Sequence, residues 1–100
     1  MKFFILNGTF RPDRPEGPAF KEALDAHHAY LNPMVASGKI LVSGPKPGGG
    51  GIMLLKAEDM AEVQTLIDND PFVVRGVQTY AVTEFMAFNV QPEVKNWFGK

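Results

Sequence analysis

Three features of the sequence predict an α+β domain in the order β-α-β-β-α-β. Four short apolar runs alternate with two stretches whose apolar residues recur at helical spacing, and glycine- or proline-rich segments separate them. At 100 residues the chain has room for one domain with one modest core. We expect residues 1–88 to form that core and 89–100 a C-terminal tail.

The first strand is read over Lys2 to Leu6, an aromatic-rich apolar run stopping at Asn7-Gly8. "GTFRPDRPEGP" follows, with three prolines and two glycines, and reads as a long loop of the kind that forms lids or rims. The first helix is expected from Ala19 to about Ser37. Phe20, Leu24, Leu31 and Met34 repeat at its period, Pro33 should kink or thin its last turn, and Gly38 suits the left-handed position after it. Lys39 to Ser43 is the second strand and Ile52 to Leu55 the third. "GPKPGGGG" between them makes the pair a hairpin. The second helix starts near Asp59, which forms a capping-box pattern with Glu62, and Pro71 ends it. A long β-rich run from Val77 to about Phe88 is the fourth strand. This order is the split βαβ, or ferredoxin-like, arrangement: an antiparallel sheet with both helices on one face.

Composition excludes several functions. A net charge of −1 leaves no electrostatic footprint for nucleic acid, and no basic cluster suggests a membrane surface. The absence of cysteine removes disulfides, thiolate catalysis and thiolate metal sites. Phe3 to Leu6 is too short for a signal-peptide core or a membrane span, so a cytoplasmic location is expected. The Asn7-Gly8-Thr9 sequon is then a chance match. "PGGGG" lacks the lysine of a phosphate loop and opens a strand rather than a helix. His27, His28 and Asp25 diverge around a helix, so no metal is expected.

The residues that carry chemistry emerge from the two helical stripes. At about 100° per residue, His27 falls in the middle of the stripe formed by Phe20, Leu31 and Met34, while His28 sits on its flank. His27 should therefore face the sheet, and a buried imidazole needs a hydrogen-bond partner. A backbone carbonyl or a water would suffice. In the second helix, Met60, Val63 and Ile67 point to residue 70 as the next stripe position, and it is aspartate. Asp70 before Pro71 also fits a plain turn. Two polar residues on the sheet-facing stripes of two helices can meet. A carboxylate beside an imidazole orients the ring, and such a pair can move protons to and from a bound substrate. Ser43, at a strand end before Gly44-Pro45, could touch a ligand or simply make a turn. Phe72 and Tyr80 read as core or pocket wall.

Several segments resemble the YCII-related family: "HHAYL" containing His27, "ILVSGP" ending at Gly44-Pro45, Gly51 opening the next strand, and "DNDPF" followed by Gly76. The resemblance runs from Met1 to about Phe88. It implies a ferredoxin-like fold that pairs two protomers into a dimeric α+β barrel. It also implies a histidine and an aspartate lining a pocket, here His27 and Asp70. Ser43, Gly44, Pro45 and Phe72 are the positions expected to contact a substrate. The family's clearest activity is dehydrochlorination of a chlorinated hydroxyhydroquinone in aromatic degradation, a proton-transfer chemistry that requires no cofactor. The expected function is thus a cofactor-independent acid–base enzyme, a lyase or isomerase acting on a hydroxylated ring or lactone. A non-catalytic small-molecule binder and a cofactor-free quinol monooxygenase are the alternatives. A homodimer is expected independently, because a sheet covered on one side leaves its other face to bury. Trp97 and Phe98 lie in a tail expected to pack at that interface.

Overall fold

A computed structural model describes residues 1–99; Lys100, the end of the expected tail, lies outside them. The elements are β1 (Lys2–Phe10), α1 (Pro18–Ala36), β2 (Ile40–Pro45), β3 (Gly51–Ala57), α2 (Met60–Asp68), α3 (Pro71–Val74), β4 (Gln78–Phe85), a 3-10 turn (Pro92–Val94) and α4 (Lys95–Phe98). One four-stranded antiparallel sheet has the order β2-β3-β1-β4. The fold is α+β and ferredoxin-like, as the order of elements requires.

The period of two in a strand separates the two faces of the sheet. Phe4, Leu6, Met53 and Leu55 point to the helices and are buried with Leu31, Ile40, Val63 and Ile67. On α1, Ala23, His27 and Leu31 are the buried positions, four residues apart and therefore stacked on one side.

Strand β1 is four residues longer than expected. Gly8 does not make a turn; it pairs with Tyr80 of β4, and Phe10 pairs with Gln78. A Cβ on Gly8 would lie 2.5 Å from Gln78 Oε1, so close packing against β4 is what requires glycine there. The β2–β3 turn folds down onto the same place. Gly50 has φ +88°, and a Cβ on it would meet Gly8 O at 2.0 Å. The long loop is correspondingly shorter, running from Arg11 to Gly17.

Pro33 does not end α1, which continues to Ala36. At α2, Asp59 accepts from Glu62 N–H as expected, but Glu62 Oε2 accepts from Glu58 N–H, one residue before the cap. Past α2 the chain does not simply turn at Pro71: Asp70 caps a further short helix, α3. β4 stops at Phe85, which leaves Met86 and Phe88 outside the sheet and almost fully exposed.

The tail folds back on its own chain. The Trp97 indole N–H donates to Gly38 O at 2.6 Å, and Trp97 and Phe98 pack on Phe3 with ring centroids 5.5 and 4.9 Å away. Lys56 Nζ lies over the Trp97 ring and donates to Trp97 O. Phe3, on the face away from α1 and α2, supplies the apolar surface on which they rest.

Candidate functional site

His27 Nδ1 lies 2.7 Å from Asp70 Oδ1, a contact that joins the middle of α1 to the cap of α3, and both side chains are buried. Each is placed by local rules. His27 occupies the buried stripe of α1 between Ala23 and Leu31. Asp70 precedes a proline, which favours extended backbone, and its side chain caps the helix that Pro71 begins. The same Oδ1 accepts from Phe72 N–H at 2.9 Å. Asp70 is thus both a helix cap and the partner of His27, and the turn reading and the site reading coincide in one carboxylate.

Two further residues complete the cluster. Tyr80 O–H donates to Asp70 Oδ2 at 2.8 Å, and Gln78 Nε2–H donates to the Tyr80 oxygen at 2.8 Å. Both project from β4 toward the helices. Burial, followed by the negative charge of Asp70 and the hydrogen bond to it, pushes the Tyr80 hydroxyl far above its usual range. Tyr80 therefore remains a hydrogen-bond donor at every ordinary pH. Residue-by-residue reading placed Tyr80 no more finely than core or wall and gave Gln78 no role. The available signal was two polar-tipped residues at alternate positions of a strand whose next inward residue is Val82.

The ring of Phe72 lies flat against the imidazole, with centroids 4.1 Å apart and planes 5° from parallel. His27 is held at its edge by Asp70 and on its face by Phe72. With Asp70 ionised and accepting only, the ring carries its hydrogen on Nδ1, and Nε2 is the polar atom left for other partners.

His27 lines a cavity of about 480 Å³ bounded by α1, the β2–β3 hairpin and the start of β4. Ser43, Gly44, Pro45 and Phe72 line it too, so the positions singled out in the sequence converge on one space. Phe10, Phe20 and Leu24 add apolar wall that the sequence reading did not assign. Asp70 does not line the cavity but stands behind His27. His28 is exposed, as its flank position predicts, and reaches the cavity rim. Among the described residues, no Lys, Arg, Asp or Glu lines the cavity, and no cluster of three or more His, Cys, Asp or Glu could hold a metal ion. Nor is any helix long and apolar enough to cross a membrane. The cavity suits a flat, largely apolar ring offered to one imidazole.

Comparison with known proteins gives the family and agrees with the fold. The sequence matches the family model of the YCII-related domain over residues 1–86. Among solved structures it is similar to 5-chloro-2-hydroxyhydroquinone dehydrochlorinase (TftG) from Burkholderia phenoliruptrix, determined in complex with 2,5-dihydroxybenzoquinone. The TM-score is 0.70 and the identity 29%, over 83% of this chain and 92% of that one. A search of curated proteins found no match.

Proposed function

Because the chain belongs to the YCII-related domain family, we propose that it is an acid–base enzyme acting on a hydroxylated aromatic ring, a lyase or isomerase of the dehydrochlorinase kind. The observation that carries this reading is the 2.7 Å His27–Asp70 contact at the wall of a cavity lined by Phe10, Phe20 and Phe72. In this reading His27 Nε2 exchanges protons with the substrate. Asp70 holds the ring and balances its charge without touching the substrate. Ser43 and the Gly44-Pro45 backbone contact ring substituents from the opposite wall.

For a quinol carrying a leaving group, one hydroxyl proton moves through His27 to the ring carbon bearing that group. The second hydroxyl proton then leaves as the group departs with the carbon–leaving-group electron pair. The ring becomes a quinone, and the acid of the leaving group is the only other product. Neither step needs a metal or an external oxidant. The same proposal includes a homodimer through the sheet face opposite α1 and α2. Exposed Ile5, Val42 and Ile52 on that face support it.

The test is chloride release from 5-chloro-2-hydroxyhydroquinone, followed together with quinone absorbance. Turnover should fall by about 10²-fold or more in His27→Gln, within the usual range for removing a general acid–base group. Full activity in that variant would refute the role of His27. An absence of both turnover and 2,5-dihydroxybenzoquinone binding in the unaltered protein would refute the substrate class.

A further inference from the structure

A buried carboxylate can sit beside an imidazole in two ways. Ionised, it accepts from Nδ1–H, and the ring keeps a lone pair on Nε2. Protonated, it donates to Nδ1 of a ring whose own hydrogen is on Nε2; that pair holds one proton more than the first, the same number as an ionised carboxylate beside an imidazolium. Only the first arrangement presents a base to the cavity. The remaining partners of Asp70 decide between them.

Phe72 N–H is a backbone donor and can do nothing but donate to Oδ1. Tyr80 is different, because a hydroxyl can donate or accept. Gln78 removes the ambiguity. Its Nε2–H is directed at the Tyr80 oxygen, so the hydrogen of Tyr80 is turned toward Asp70 Oδ2. An amide facing the other way would offer an acceptor to Tyr80 and draw that hydrogen away from Asp70. The orientation has a cost. Gln78 is only 2% exposed, and its Oε1 is buried without a hydrogen-bond partner. Gly8, lacking a side chain, leaves the space in which that oxygen rests. Asp70 is thereby surrounded by three donors: Phe72 N–H, Tyr80 O–H and His27 Nδ1–H.

We propose that Tyr80, oriented by Gln78, is a positioning residue that keeps Asp70 an acceptor and so holds the His27 hydrogen on Nδ1, with Nε2 free as the base. The proposal deepens the reading of His27 as the proton-transfer group and rests on it. The tautomer itself is measurable in the ligand-free protein, with no substrate present.

The experiment is a long-range ¹H–¹⁵N correlation spectrum of the histidine rings, recorded at alkaline pH, where imidazoles are neutral, and again at acidic pH, where an imidazole–carboxylate pair holds a second proton. His27 is identified by the signals lost in His27→Gln, and thermal unfolding is followed in parallel. The unaltered protein should show His27 as the Nδ1–H tautomer at alkaline pH and as an imidazolium beside a carboxylate at acidic pH. In Tyr80→Phe the acidic form should move by about tenfold or more toward a neutral Nε2–H ring beside a protonated Asp70, the effect of losing one hydrogen bond to a buried charged group. If Tyr80→Phe does not fold, Gln78→Leu probes the same chain from its far end and should give a smaller shift in the same direction. An unchanged imidazolium at acidic pH in the folded variant would overturn the proposal. A shifted balance together with a fully active His27→Gln would support Tyr80 as a positioning residue while refuting the catalytic reading, so the two failures are distinguishable.

Discussion

Phe4 and Leu6 of β1 are at most 2% exposed beneath the helices, whereas Ile5 between them, facing the other way, is 38% exposed. In β3, Met53 is 5% exposed and its neighbour Ile52 46%. The inner face is closed by the chain's own helices. Among the described residues, the outer face is closed only at one corner, where Trp97 and Phe98 pack on Phe3. The polar content differs as well. The outer corner packs aromatic rings with two hydrogen bonds, from the indole to Gly38 O and from Lys56 Nζ to Trp97 O. The inner face buries an imidazole, a carboxylate, a phenol and an amide in one connected chain. Burial alone therefore does not mark a site in this molecule. Buried polarity with nearly every valence satisfied does.

The strongest test of the contrast is Phe4→Ala against Ile5→Ala. The first should cost about 3–5 kcal/mol in urea unfolding, as for other buried phenylalanines. The second should cost about 1 kcal/mol or less if the outer face stays open to water. A large Ile5→Ala effect that grows with protein concentration would break the comparison and show that a second copy covers the outer face. Next in size is Trp97→Ala, which removes the indole hydrogen bond, the packing on Phe3 and the contact with Lys56. About 2 kcal/mol is expected, read from the shift in midpoint at unchanged slope. A negligible loss would mean the corner contributes nothing to the outer face.

The smallest expected effect is one of pH. Tyr80 holds its proton in the folded state well above the usual tyrosine range, chiefly through burial. Tyr30 is displaced in the same direction for the same first reason. An unfolded tyrosine gives up its proton near pH 10. The folded chain thus binds more protons than the unfolded one above that pH, and stability falls as pH rises beyond it. Below pH 10 this contribution is complete. Urea midpoints measured between pH 9 and 11 should decline, and Tyr80→Phe should flatten the decline. An equally steep fall in that variant would assign the effect elsewhere.

The sequence made the helices, the hairpin and the order of elements along the chain legible because each rests on short-range periodicity and turn signals. His27 and Asp70 were legible for the same reason, as polar residues at positions where two apolar stripes call for apolar ones. What it hid depends on distant neighbours. Gly8 read as a turn because its need for glycine comes from Gln78, which reaches it only through the β1–β4 register. The partnership of Tyr80 with Asp70 depends on that same register. α3 is a single turn, too short for a period to show. The Trp97 partner, Gly38, lies 59 residues away in sequence, so nothing near the tail announces where it folds.

Asp70 Oδ1 has one further consequence. It bonds both the imidazole edge and the N–H of the residue whose ring covers the imidazole face. Imidazole and covering ring are therefore fastened by one atom, and His27 has little rotational freedom left to surrender to any ligand. The entropy of orienting the imidazole is spent during folding rather than at each encounter. Replacing Phe72 with a smaller apolar residue would return that freedom. Such a variant should bind a flat ring with a less favourable entropy, measurable by titration calorimetry, even where its enthalpy is unchanged.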